Sequence, residues 1–246
     1  MREARPAVFS SRDEGRVLES LLQLTGYGLC HQLPERSLFG GGVQLPVCAR
    51  DTGIYIGFIV SLLVIGALHR PEKPRSFPRP WVWGVIGLLI GVMALDGFTS
   101  YAGWRSTSNE LRLLTGLAAG FGASALLAPI LNDVLWSDPS PNRVLEPVWR
   151  VGVWLGALFA SYPLIWFGGP LLGPLYPWLT MAAVLATLTS VNLAIVGMFP
   201  AFDRKAKTLR DLALPAAIGL TFAVIEIGLA GLFRYGVELL ASAAGS

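Results

Sequence analysis

Apolar residues run in six long blocks along the chain, at about 52–69, 81–98, 113–131, 148–167, 178–199 and 212–233. Charge, proline or both break each block from the next. Arg70-Pro71-Glu72-Lys73-Pro74-Arg75 closes the first, and Ser137-Asp138-Pro139-Ser140-Pro141-Asn142-Arg143 parts the third from the fourth. Gly168-Gly169-Pro170 with Gly173-Pro174, and then Asp203-Arg204-Lys205-Ala206-Lys207, close the next two. A bilayer core takes about 20 mostly apolar residues per spanning helix. Backbone polar groups inside it must be satisfied within the segment, so blocks of this length predict helices. The pattern predicts an all-α, polytopic integral membrane protein with six transmembrane helices in one domain, residues 51–233. An N-terminal extramembrane or interfacial segment, 1–50, precedes it, and a short polar tail, 234–246, follows.

Composition agrees. Hydrophobic residues make up 53% of the 246 residues and charged residues 14%, against about 25% charge in a soluble domain. Intrinsic disorder is excluded on this ground. Lys+Arg is 19 and Asp+Glu 16, a net charge of only +3, so nucleic acid is not an expected partner. Trp81, Trp83, Trp149, Trp154, Trp166 and Trp178 fall near predicted span ends, as an aromatic belt would. Four small-residue repeats, Gly53/Gly57, Gly87/Gly91, Gly116/Gly120 and Gly152/Gly156, have the spacing that lets helices approach closely. Loops one, three and five hold ten Lys or Arg, whereas the opposite side has five once the distal N-terminal arginines are set aside. By the positive-inside rule these loops are expected in the cytoplasm and both termini outside, in the cell (inner) membrane.

Residues 1–50 carry six Arg and five acidic residues, with no run that reads as a cleavable signal. Val17, Leu18, Leu21, Leu22 and Leu24 form a short helical stripe suited to the membrane interface. Both cysteines follow within 19 residues of one another, in Cys30-His31-Gln32-Leu33-Pro34-Glu35-Arg36-Ser37 and Pro46-Val47-Cys48-Ala49-Arg50-Asp51-Thr52-Gly53-Ile54-Tyr55. Cys30, His31, Cys48 and Asp51 offer the thiolate, imidazole and carboxylate donors of a divalent-metal site such as zinc, and only three ligands would leave an open coordination position. Cys48 and Asp51 share a face if a helix starts there, and Gly40-Gly41-Gly42 provides a turn to bring residue 30 back to residue 48. Two other readings stand beside metal ligation: a Cys30–Cys48 disulfide closing a short loop, and a pair of inert buried thiols.

These two motifs, joined by a glycine-containing turn, resemble the hallmark of a prokaryotic family of predicted membrane proteins, domain of unknown function 2085. The resemblance runs from about residue 28 to residue 120. It implies a helical membrane bundle whose activity is unassigned. Many members carry a third cysteine where this chain has Asp51, so the resemblance supports a site here and leaves its chemistry open.

The second span ends in Leu95-Asp96-Gly97-Phe98-Thr99-Ser100, and the polar turn Gly103-Trp104-Arg105-Ser106-Thr107-Ser108-Asn109-Glu110-Leu111-Arg112 follows. This segment also resembles the family, in its Asp-Gly, Gly-x-Arg-x-Ser and Asn-x-x-Arg elements. An acid at the hydrocarbon edge is costly unless paired, and Arg105 or Arg112 is the expected partner of Asp96. A helix beginning near Ser108 sets Asn109 and Arg112 on one face and leaves its first N–H groups free. Arg50, Arg105, Asn109 and Arg112 then form a candidate anion-binding group, with Asp96 as an orienting acid or a base; a buried ion pair with helix capping is the structural alternative. Span one starts and span two ends on the same membrane side, so the two groups are expected at one surface.

Glu226 stands mid-span, expected to line a cavity or to pair with Asn192 or the Thr187-Leu188-Thr189-Ser190 cluster. Asp133 and His69 are expected to be solvated or interfacial. Three function classes follow. The first is a metal-binding protein or enzyme acting on a lipid-linked or anionic small molecule at the membrane surface. The second is a small-solute or ion transporter using Glu226, gated by a disulfide-closed N-terminal segment. The third is a structural subunit of a membrane complex.

Overall fold

The computed structural model describes residues 11–244, with side chains over 19–243. Residues 1–10 and 245–246, and the side chains of Val17 and Leu18 in the expected stripe, lie outside this description. Helix α1 (Ser11–Tyr27) leads into a short 3-10 turn and a hairpin of β1 (Ser37–Gly40) and β2 (Val43–Cys48). Gly41 and Gly42 form its turn with φ of +59° and +81°, a left-handed region that glycine enters without a Cβ clash. Then come α2 (Ala49–Leu68), β3 (Pro74–Ser76), α3 (Pro80–Tyr101), α4 (Asn109–Leu135), β4 (Ser140–Arg143) and α5 (Val148–Pro163). A π turn at Leu164–Gly168 joins α5 to α6 (Gly169–Leu171), followed by α7 (Leu175–Gly197) and α8 (Ala213–Ala244).

Six helices are long and apolar enough to cross a membrane, in the six blocks that the pattern marks. Local signals set their ends. Pro80 opens α3, where the missing N–H costs nothing, and the Ser108 hydroxyl accepts the Leu111 N–H at 3.4 Å to cap α4. The last block does not stop at 233, because α8 continues without a break through residues 234–244.

Helix α4 is the central rod. Gly53 and Gly57 of α2 face Gly116 and Gly120 of α4 so closely that an added Cβ at Gly116 would stand 2.1 Å from the Arg50 carbonyl oxygen, and one at Gly53 2.4 Å from that of Leu113. The other two small-residue repeats do not pack in this way: a Cβ on Gly87, Gly91, Gly152 or Gly156 meets nothing within 4 Å. Beyond the glycine seam, Phe121 packs against Trp154, Ile65, Ile86 and Leu158 in the main apolar cluster. Trp154 therefore belongs to the core and not to an aromatic belt, with its indole N–H donating to Ser61 Oγ at 2.7 Å.

At the end of the bundle formed by loops one, three and five, β3 pairs in parallel with β4. His69, expected at a wet span end, is instead buried there. Its Nε2 accepts the Leu145 N–H at 3.0 Å, and Arg150 and Glu72 face Nδ1. Asp133 pairs with Arg204 at 2.7 Å and Arg75 at 3.6 Å.

Candidate functional site

The opposite end of the bundle carries the chemistry. Gln32, held at φ +53°, sends its amide to the carbonyls of Gln23 at 2.8 Å and Pro46 at 2.9 Å, tying the end of α1 to β2. Gln44 returns the connection by donating to the Gln32 carbonyl at 2.8 Å. Arg234 of α8 donates to the carbonyls of Tyr27 and Cys30, both at 2.7 Å, and Tyr27 donates to Glu238 at 2.5 Å. These clamps hold Cys30 beside the start of α2, where Cys48 is the residue before the first helical turn and Asp51 lies one turn in.

The Sγ atoms of Cys30 and Cys48 and a carboxylate oxygen of Asp51 all lie within 4.8 Å of one another. The Cys48 thiol donates to Asp51 Oδ2 at 3.2 Å, and the Cys48 N–H donates to Cys30 Sγ at 3.3 Å. Both cysteines are free thiols. His31 is exposed and stands outside the group, so the four-donor set expected from the sequence reduces to three. His31 lines the same cavity as Cys30, but its ring nitrogens do not converge with the three donors. Hydrogen bonding from Cys48 holds the Cys30 thiol below its ordinary range, whereas that same contact, burial and the Asp51 charge push the Cys48 thiol up. The first thiolate therefore forms on Cys30.

A tetrahedron with metal–sulfur bonds of about 2.3 Å and metal–oxygen bonds of about 2.0–2.2 Å has donor–donor edges of roughly 3.3–3.8 Å. The three donors, within 4.8 Å of one another, approach these edges and could hold an ion, which would leave one position open.

Asp96, only 2% exposed, is the hub of the second group. Arg50 donates to its Oδ2 at 2.5 Å and Arg105 to its Oδ1; Thr107 and Thr115 add bonds at 3.1 and 3.3 Å. Arg105 is thus a partner as expected, but the second is Arg50 rather than Arg112. With both oxygens engaged by guanidiniums, the carboxylate is built to orient arginines. Asn109 donates to the carbonyls of Glu35 and Ser37 at 3.1 and 3.4 Å, pinning the N-terminal segment to α4.

Arg112 is left over. It is 8% exposed, and its side chain donates to Asn109 Oδ1 at 3.3 Å. Neither Arg112 nor its neighbour Arg36 comes within 4.0 Å of a carboxylate among the described residues. The Nε of Arg50 is also buried without a hydrogen-bond partner. Arg36, Arg50, Arg112, Cys30, Cys48 and Asp51 line one cavity of about 280 Å³. Of the arginines that follow span two, Arg112 lines this cavity with the two sulfurs, whereas Arg105 stands outside it on Asp96.

The family model described as "Predicted membrane protein (DUF2085)" matches residues 30–126. An uncharacterized protein of Methanocaldococcus jannaschii is 39% identical over 108 residues, 44% of this chain and 67% of that protein. The chain belongs to this family. An uncharacterized protein of Methanothermobacter thermautotrophicus is 37% identical over 107 residues, 44% of this chain and 90% of its own length. No solved structure matches. The family segment begins at Cys30 and covers the hairpin, α2, α3 and most of α4, which together supply every residue of the cavity's donor and arginine groups.

Sequence reasoning missed Gln32, Gln44 and Arg234, whose roles depend on a helix end that packs from the far side of the chain. Glu226 accepts from Asn192 Nδ2 at 3.0 Å, one of its expected partners. Thr187 and Ser190 bond elsewhere, to the Tyr55 and Ala186 carbonyls. Glu226 is exposed apart from this contact and lines none of the four described cavities.

Proposed function

We propose that this protein is a membrane metalloprotein, with Cys30, Cys48 and Asp51 holding a divalent ion such as zinc. On this reading Arg36 and Arg112 hold a phosphate- or carboxylate-bearing ligand beside it. The observation that supports it best is Arg112: a buried cation with no carboxylate partner among the described residues, lining the same cavity as three convergent metal donors. Burying a charge is unfavourable unless it is paired, and a bound anion supplies the pair. Two thiolates and a carboxylate carry a charge of −3, which a divalent cation reduces to −1 and the surrounding arginines offset. A metal here would polarise and hold an anionic oxygen at its open position. The chain's own groups supply the rest: Asp96 fixes Arg50 and Arg105 at the rim, and Arg112 receives the ligand's charge.

The Lys and Arg distribution supports loops one, three and five in the cytoplasm, with this cavity opening on the other side. Elemental analysis of the full chain purified in detergent tests the metal directly. About one divalent ion per chain is expected, lost in Cys48→Ala and in Asp51→Ala. Protein free of metal, with a mass two protons lower under non-reducing conditions, would replace the metal with a Cys30–Cys48 disulfide and end the proposal.

A further inference from the structure

A second cavity, independent of the metal reading, lies at the other end of the bundle where α2, α4 and the start of the last span diverge. It measures about 850 Å³, within the usual range of ligand pockets. Its chemistry is split along its length. Leu62, Leu63, Leu131 and Leu209 form apolar walls, and Leu63 and Leu209 are mostly exposed, so this part opens sideways on the surface that faces the bilayer.

The rim carries Arg70, Lys73 and Lys207. None of the three side chains forms an ion pair with a carboxylate among the described residues, and Asp211, the acid nearest Lys207 in sequence, is engaged by the Lys207 and Thr208 backbone N–H groups at 2.9 and 2.8 Å. Of the other arginines on this end, Arg75 and Arg204 pair with Asp133, Arg79 with Glu146 and Arg150 with Glu72, whereas Arg143 donates to the Phe77 carbonyl and lies outside the cleft. Lys73 rests its ammonium 3.2 Å from the centre of the Trp136 ring, at the end of α4, which places it at the apolar–polar boundary. The cleft is also kept open by Gly66, where an added Cβ would meet nothing within 4 Å.

We propose that this cleft binds an anionic glycerophospholipid, its phosphate headgroup against Arg70, Lys73 and Lys207 and an acyl chain along the leucine wall. Three cations that form no ion pair among the described residues, at the mouth of an apolar slot that opens laterally, fit a molecule anionic at one end and hydrocarbon at the other. A water-soluble anion uses only the rim, and an uncharged lipid only the wall.

The test reconstitutes the full chain in vesicles of equal phosphatidylglycerol and phosphatidylcholine with matched acyl chains, then counts retained lipid by native mass spectrometry. Phosphatidylglycerol is expected to be retained over phosphatidylcholine. A cation near an anionic surface contributes about fivefold, so Arg70→Gln and Lys207→Gln should each lower the preference about fivefold and together about twenty-fivefold. Gly66→Leu should abolish the adduct by filling the slot while raising helix propensity, with the melting temperature showing that the fold is intact. Cys48→Ala should leave the adduct unchanged, which separates this site from the metal site. Equal retention of the two lipids overturns the proposal. So does retention that survives Gly66→Leu, displacement of the adduct by excess inorganic phosphate, or a dimer in place of a lipid adduct.

Discussion

Replacing Asp96 by alanine removes the acceptor that two arginines share, and the structure sets unequal consequences for them. Arg50 has a side chain 13% exposed and its Nε already lacks a partner, so it is left as an uncompensated buried charge. Breaking a buried pair in this way costs about 3–5 kcal/mol. Arg105 is 43% exposed, and water screens its pair to about 0–1 kcal/mol. Asp96→Ala should therefore lose about 3–5 kcal/mol, nearly all of it through Arg50. Arg105→Gln should lose less than about 1 kcal/mol. Arg50→Gln should fall between them, because Asp96 keeps Arg105, Thr107 and Thr115. For a chain of this size 1 kcal/mol moves Tm by about 2–4 °C, so Asp96→Ala should lower it by about 6–20 °C. Thermal unfolding in detergent, followed by circular dichroism, reads this series. The reasoning fails if Asp96→Ala melts within a degree or two of the parent, or if Arg105→Gln is as damaging as Asp96→Ala.

Further consequences can be checked in the same preparation. His31→Ala should keep its metal while Cys30→Ala loses it, since the three convergent donors do not include the His31 ring; metal loss in both would restore the four-ligand set. Gly116→Ala drives a Cβ to 2.1 Å from the Arg50 carbonyl oxygen and should cost at least about 1–3 kcal/mol. Gly87→Ala faces open space and should be neutral or raise Tm by its helix propensity; a reversed order would show that α2 and α4 do not pack through this seam. Burial, and then the Arg150 charge, hold His69 below its ordinary 6.5, and hydrogen bonding from Arg150 holds Glu72 below 4.5. Below pH 6.5 the unfolded chain takes a proton that folded His69 refuses, so stability should fall as pH drops through that range, with a second loss below 4.5 as Glu72 protonates. His69→Gln should remove the first phase and keep the second, read as Tm against pH.

The six spans were legible because hydropathy over about 20 residues is a local property, and Pro80 and Ser108 mark their helix starts by local backbone chemistry. The two halves of the site were legible for a topological reason: the start of span one and the end of span two must share a side. Cys48 and Asp51 were readable as a pair because three residues of helix separate them.

Other features had no local signature. That Trp154 fills the core while Trp149, five residues away, is exposed depends on which face of α5 meets α2 and α4. That Gly53 and Gly116 pack while Gly87 and Gly152 do not is decided by partners, since the spacing is the same in all four repeats.

The amino-acid order alone thus determined a six-helix membrane protein, the side on which its cysteines and its Asp96–Arg112 turn meet, and the donor types on offer. Tertiary structure decided which of them converge: Cys30 joins Cys48 and Asp51 while His31 stays outside that group, Arg50 takes Asp96, and Arg112 is buried with no carboxylate in reach among the described residues. The physical reason is range. Burial in lipid and helix capping act over one turn or one span, but the partner of a charge is set by distances between helices that no single segment encodes.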